Sequence, residues 1–446
     1  MKAMEPMGAP RSKLYALEPL VNRMPEVSVP KRHVTFKEKF MWTGIVLILF
    51  FIMTQIPLYG IPSGQEVSDF FGQLRFVLAS HAGTLMELGI GPIVTAGIIM
   101  QLLVGSKLIG LNLTDHRDRA LFTGVQKVLA IGMGIFEGAM FVLSGRYGVG
   151  LGDPAGIFIL IQLALGVVIV IYLDELVSKY GFGSGVSLFI AGGVAMTVFW
   201  QALNPWQGAI PNFVGSMLAG ERIGDVFFRP GLPNMMGVVA TLVVFLIVVY
   251  AESMRIEIPL AYGRFGGIRG RYPIRFLYTS NIPVILAMTV FANFRMLAAL
   301  LNMPWLSYYT TPPNGLNSVA ADPVQAGVYT LILVVVSMGF SLLWVNLTGM
   351  GPREVAQQLD RSGMLIPGFR RDIKVMEWVL RRYILATAVM GGMFVGLISA
   401  GADILGALGS GTGILLTVGI IYRLYEEIAR ERVAEMFPAV RRFFGE

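Results

Sequence analysis

Ten apolar stretches, near residues 40–56, 84–104, 120–143, 155–173, 186–203, 235–251, 282–301, 323–345, 383–400 and 412–422, punctuate this chain. A helix needs about 20 predominantly apolar residues to cross the hydrocarbon of a bilayer, so ten such runs take roughly 200 residues and leave enough for loops and tails. With 55% hydrophobic and only 14% charged residues, it is far from the roughly 25% charged composition of a soluble domain. The expectation is an all-α integral membrane protein with ten transmembrane helices. The second, fifth and tenth stretches are interrupted by Gly, Pro, Thr or Ser, as befits segments buried within a helical bundle.

Basic residues orient the bundle. Lys2, Arg11, Lys13, Arg23, Lys31, Arg32, Lys37 and Lys39 precede the first span, and only Arg75 follows it. The alternation continues, with few breaches, to Arg423, Arg430, Arg432, Arg441 and Arg442 at the end. Because cytoplasmic loops retain Lys and Arg, both termini are expected in the cytoplasm, and the span count is even. Two basic cytoplasmic loops, at 252–280 and 348–382, are longer than orientation requires, which makes them candidate docking surfaces. The remaining divisions are a cytoplasmic segment at 1–34, spans one to five at 35–203, and an external loop with span six at 204–251. Spans seven and eight fill 281–347, spans nine and ten 383–425, and a cytoplasmic tail 426–446.

Several chemistries are not signalled. The chain has no cysteine, and His33, His81 and His116 are scattered, so neither a metal site nor a disulfide is expected. No short apolar run near the start marks a cleavable signal peptide. There is no phosphate-binding loop and no paired-histidine zinc helix. The Gly-Ser-Gly pieces at 183–185 and 409–411 have no neighbouring base to activate a serine. Neither a cofactor nor an enzymatic activity is expected.

Those same pieces form a weak internal echo. Gly183-Ser184-Gly185 opens span five and Gly409-Ser410-Gly411 opens span ten. Gly91-Pro92-Ile93-Val94 near the start of span two is echoed by Ile282-Pro283-Val284-Ile285 in span seven. Each pair lies five spans apart, so the two halves would have opposite membrane orientation, as in the inverted repeats of transport proteins.

Two further features bear on function. Phe70, Phe71, Leu74, Val77 and Leu78 recur at helical spacing within residues 60–83, a segment too short to cross. It either lies at the interface or folds back into a cavity that satisfies its backbone. Thr95, Gln101, Glu137, Asn293 and Arg295 are polar residues inside spans. An ionised group at the bilayer centre costs at least about 2.5–3.5 kcal/mol, so Glu137, the one strong intramembrane carboxylate apparent, should face a partner or a wet cavity. An ion-coupled secondary transporter of a small solute is the alternative reading of these features.

Long runs of the sequence are identified with a known family. LGIGPIVTAGIIMQLLVGS (88–106), RALFTGVQK (119–127), IYLDELVSKYGFGSGVSLFIA (171–191), YPIRFLYTSNIPVILA (272–287) and ILGALGSGTGILLTV (404–418) resemble the SecY family, the main subunit of the Sec protein-conducting channel. Details such as YLDELVSKYG are similar to archaeal members. The resemblance implies ten helices in two inverted pseudo-symmetric halves with a short re-entrant plug helix, and a passive channel for secretory and membrane proteins. By motif match, the pore constriction would be a ring of Ile90, Val94, Val186, Ile190, Ile285 and Leu416. Such an aliphatic ring can stay dewetted and block ions while passing any sequence. The plug would lie at about 61–75, with Phe70, Phe71 and Leu74. A lateral gate for signal sequences would carry Thr95, Glu137 and Asn293, between spans two and three and spans seven and eight. Arg264, Arg370 and Arg371 would dock the ribosome. Implied partners are a SecE-like single-span subunit, a small beta-type subunit, the ribosome, signal sequences with their nascent polypeptides, and the lipid bilayer. The implied location is the plasma membrane of an archaeon.

Overall fold

A computed structural model describes residues 13–436 except 33, 63–74, 76–77, 107, 112–114, 221, 223, 225–226, 230–231, 263–268, 280–281, 301–302, 363 and 366–371. Ten long helices coincide with the ten apolar stretches: α1 (Phe36–Met53), α2 (Gly91–Gly105), α3 (His116–Leu143), α4 (Pro154–Tyr180) and α5 (Gly185–Leu203) in the first half. The second half holds α6 (Met235–Ser253), α7 (Ile282–Leu300), α8 (Pro323–Leu347), α9 (Ile373–Ile404) and α10 (Gly411–Met436). Among the described residues, α3, α4, α5, α6, α8 and α9 contain runs long and apolar enough to cross a membrane unaided. The other four are shorter or carry charge at one end, and they need the bundle around them.

Local chemistry explains where these helices begin. Thr35 and Glu38 form a reciprocal capping box at the start of α1, each side chain accepting from the other's backbone N–H. Asn234 accepts from Gly237 N at 2.8 Å to cap α6, and Asp322 accepts from Val324 N and Gln325 N to cap α8 behind Pro323. Asp372 caps α9, which therefore starts ten residues before its apolar stretch. Its first turns are amphipathic: Met376, Leu380 and Ile384 pack against Val355, Ala356 and Leu359 of the helix Pro352–Arg361. Conversely, the apolar stretch at 84–104 becomes helical only at Gly91, because residues 84–90 form a tight turn around the charged Glu87.

Each half centres on its own apolar cluster, one mainly from α1 to α5 and the other from α6 to α10, with Leu416 of α10 buried in the first. The Gly-Ser-Gly echo has a physical cause at equivalent joints. Gly183 and Gly409 both take positive φ (68° and 83°), which favours glycine. The last glycine of each piece lies hard against the preceding helix: a Cβ at Gly185 would be 2.6 Å from Asp174 Cα, and one at Gly411 would be 2.1 Å from the Ser399 carbonyl oxygen. A carboxylate of that preceding helix then caps the next. Asp174 of α4 accepts from Val186 N at 2.9 Å, and Asp403 of α9 accepts from Gly411 N at 2.8 Å. Asp174 and Asp403 are thus carboxylates of the long helices that stand just past the apolar stretches 155–173 and 383–400. Asp174 and Asp403 escape a hydropathy reading because each stands near the end of a long apolar helix and meets backbone N–H groups of the next.

The stretch 252–280 is not a plain loop. β1 (Arg255–Tyr262) and β2 (Arg269–Arg275) pair antiparallel from Arg255↔Arg275 to Ala261↔Arg269, and β3 (Met364–Leu365) adds to the other edge of β1. The sheet order is β2-β1-β3. Glu426 of α10 grips its base, accepting from Arg255 at 2.6 Å and Arg275 at 2.9 Å.

Residues 13–32 form a strap across the ends of α3 and α4. Lys179 pairs with Glu26 at 2.7 Å, Arg117 pairs with Glu18 at 3.0 Å, and Val27 N donates to Glu175 at 3.0 Å. The hydrogen bond from Lys179, with the nearby charge of Lys127, holds the Glu26 carboxyl below its ordinary value of 4.5. A lowered folded-state value means that the contact contributes fully above pH 4.5 and is lost as the pH falls through the lowered value. A spin label at Val29, which is 70% exposed, should thus become mobile on acidification. A Glu26→Gln chain should show that mobility already at neutral pH, and equal immobility in both would refute the tie.

Candidate functional site: an aliphatic waist between two halves

Four helices contribute their first turns to the junction of the two cores. Ile90 is the N-cap of α2, with Val94 one turn on; Val186 and Ile190 open α5; Ile285 opens α7; Leu416 lies in the second turn of α10. Ile90, Ile190 and Leu416 are buried, and half-buried Val94, Val186 and Ile285 pack against the same cluster. Leu416 and Ile285 are the telling members, since α10 and α7 belong to the second half yet pack into the first half's core. The six aliphatics thus share one cluster, in which α2 and α5 of one half meet α7 and α10 of the other.

The polar residues distribute over the seam flanking that cluster. Thr95 is half-buried on α2 and Glu137 is half-buried on α3. Glu137 reaches the first turn of α2, where a Cβ on Gly91 would come within 3.7 Å of its Oε2. Asn293 belongs to α7, and its side chain lies outside the described residues. Within the second half, α7 packs on α8 through the edge-on pair Phe291 and Tyr329, with ring centroids 6.0 Å apart. Across the seam, α2 meets α8 at Gly105, where a Cβ would lie 1.5 Å from the Leu347 carbonyl oxygen. Only a glycine permits that approach.

Phe70, Phe71 and Leu74 lie outside the described residues, as do Arg264, Arg370 and Arg371. The described neighbours of the first group are Arg75 and Leu78, both helical, with Leu78 packed against the second half's core. In the sequence, Arg264 falls between β1 and β2, and Arg370 and Arg371 follow β3.

Sequence reasoning missed several residues of this region. Gly105 reads as an ordinary small residue at a helix end. Arg75, Glu87 and Arg146 form a buried ion cluster that no local spacing announces.

Residues 84–425 match the profile of the SecY family. The chain belongs to the SecY family. Residues 48–83 match the plug domain of Sec61p, immediately before the SecY match. The SecY subunit of the protein translocase of Pyrococcus furiosus is 48% identical, covering 98% of this chain and 100% of that one. Its counterpart from Methanocaldococcus jannaschii is 45% identical, over 96% and 99% respectively. Among solved structures, one described as a protein conducting channel superposes with a TM-score of 0.79 at 45% identity, covering 95% of this chain and 99% of its own. Canine Sec61 in a ribosome–channel complex of the endoplasmic reticulum gives 0.76 at 44%, with the same coverage. As a SecY-family chain, this protein is a channel-forming translocase subunit rather than an enzyme, and the small-solute transporter reading is not favoured.

Proposed function

We propose that this SecY-family chain seals and opens a pore for unfolded secretory and membrane proteins at its aliphatic waist. The observation that carries the proposal is that Ile90, Val94, Val186, Ile190, Ile285 and Leu416 pack as one cluster where the halves meet. Aliphatic side chains offer no directional bond to a passing peptide, so the same ring excludes ions and admits any sequence. The seam of α2 and α3 against α7 and α8 is the lateral gate, with Thr95, Glu137 and Asn293 as its polar residues. A wholly apolar signal helix competes with such a seam, because interhelical hydrogen bonds in lipid contribute only about 0.6–2 kcal/mol each.

Docking fits the sheet and its flanks. Arg264, Arg370 and Arg371 lie in segments adjoining β1, β2 and β3, and cationic loops suit the phosphates of ribosomal RNA, which makes binding salt-sensitive. Relatives of this chain are seen in ribosome-bound complexes. The chain has no phosphate-binding loop, so the driving energy comes from a docked ribosome. A SecE-like single-span subunit and a small beta-type subunit complete the channel, in the plasma membrane of an archaeon with both termini cytoplasmic. The plug, at about 61–75 with Phe70, Phe71 and Leu74, closes the external funnel.

Photo-crosslinkers along a stalled, signal-bearing nascent chain test the path. Adducts at Ile90, Ile190, Ile285 and Leu416 are expected. Translocation that proceeds with no adduct at any of the four would remove the waist from the route.

A further inference from the structure

Residues 78–90 run from within the segment that matches the plug domain, 48–83, to the first waist residue, and they form a knot rather than a slack linker. Ile90 N–H donates to the Leu78 carbonyl at 2.9 Å, and His81 N–H donates to that of Met86 at 3.0 Å. Ala79 and Gly89 both take positive φ, 48° and 54°. The Ser80 hydroxyl donates to the Glu87 carbonyl at 2.5 Å, and Gly83 N–H donates to the Glu87 carboxylate.

Glu87 also faces outward from the knot to two guanidinium groups. Its Oε1 lies 3.3 Å from Arg75 Nη2 and 2.8 Å from Arg146 Nη2. The side chains of Glu87 and Arg146 are wholly inaccessible, and that of Arg75 is 8% exposed. Arg146 stands just beyond Ser144, the C-cap of α3, and its guanidinium lies 5.2 Å over the Phe141 ring of that helix. Arg75 thus belongs to the plug-matching segment, Arg146 to the end of a gate helix, and Glu87 to the turn that leads into the waist.

Apolar residues of similar volume commonly stabilise a core as well as a buried ion pair does, so the best-attested use of such a pair is to hold a particular arrangement. We propose that Glu87 is a positioning residue that ties the plug's root, through Arg75, to gate helix α3, through Arg146. The root at Arg75 stays fixed while α3 holds its closed position. Displacement of α3 draws Arg146 off the shared carboxylate and loosens the root beside Ile90. Signal entry at the seam and unsealing at the waist then become one event. This rests on the pore-and-gate reading above.

The test uses the channel with its small partner, reconstituted in planar bilayers and in translocating vesicles. Arg146→Met removes the α3 end of the tie with a side chain of comparable length and touches neither the waist nor the polar seam. Resting ion conductance and passage of a substrate with a shortened apolar signal should both rise, each within the roughly 5–150-fold span usual for coupling between two sites. Glu87→Gln should act in the same direction, and Glu87→Asp and Arg146→Lys, which keep the charge, should fall between it and the parent. The proposal is overturned if Arg146→Met, unfolding at the parent temperature, keeps parental conductance and still rejects the weakened signal. Should Glu87→Gln not fold, the Arg146→Met and Arg146→Lys comparison decides alone. A parent channel that translocates no signal-bearing chain would instead overturn the pore reading itself.

Discussion

Replacing Ile90, Ile190 and Leu416 together with glycine is expected to turn the resting channel into a steady ion leak. These three are the waist residues buried in the shared cluster, and they come from α2, α5 and α10. Each substitution removes aliphatic bulk that keeps the constriction dewetted against ions. A barrier lowered by about 1.4 kcal/mol passes tenfold more ions, and a single substitution is expected to raise the resting current by about that order of magnitude. The triple variant should exceed any single one, though less than multiplicatively because the side chains touch. Current through planar bilayers, with sodium or chloride as carrier, reads the effect directly. An unchanged resting current in the triple variant would leave the seal without its assigned residues.

The second large effect is expected at Gly105. Alanine there would ordinarily favour a helix by up to about 1 kcal/mol, so a harmless site should gain stability. Here the added Cβ points at the Leu347 carbonyl oxygen from 1.5 Å, and both atoms sit on helix backbone that cannot rotate away. The ends of α2 and α8 must part by more than an ångström, which wedges the gate at that end. Gly105→Ala should therefore lengthen the distance between spin labels at Ser106 and Thr348. It should also admit signals too weakly apolar for the parent, and Gly105→Leu should do so further. Labels that keep the parent spacing in both variants would show that α2 and α8 do not press on each other here.

What could be read in advance followed from how directly each property is written in the chain. Helix positions were legible because lipid demands long apolar runs, and each of the ten stretches holds a long helix in the structure. Helix ends were less so. The first turns of α9 and the last of α10 are charged on one face, so a hydropathy reading treats them as loop, and only the caps and packed partners reveal them. The three-stranded sheet escaped notice because β3 is two residues long and β1 and β2 read as a basic loop. The six waist aliphatics were named through the family resemblance, since Ile or Leu on a helix looks the same in a core as at a constriction. The Gly-Ser-Gly echo was visible, but its cause was not. Asp174 and Asp403 act on residues a turn of chain away, and only folded geometry brings carboxylate and amide together. The Glu87 cluster was hidden for a like reason, as Arg146 reaches it from the far end of another helix.

The helix α10 carries Leu416 at the waist and Glu426 at the sheet on one unbroken element. Ten helical residues make a rod of about 15 Å with no hinge between its working ends. Tilting that rod by about five degrees at the sheet displaces the other end by about 1.3 Å, close to the length of a carbon–carbon bond. Such a shift is large for a closure made by van der Waals contact, where a gap of about 0.5–1 Å already forfeits a quarter to a half of the attraction. The chain is in this sense geared. A load applied to the sheet reaches Leu416 without slack, so on the pore reading proposed above whatever grips the sheet also holds the throttle.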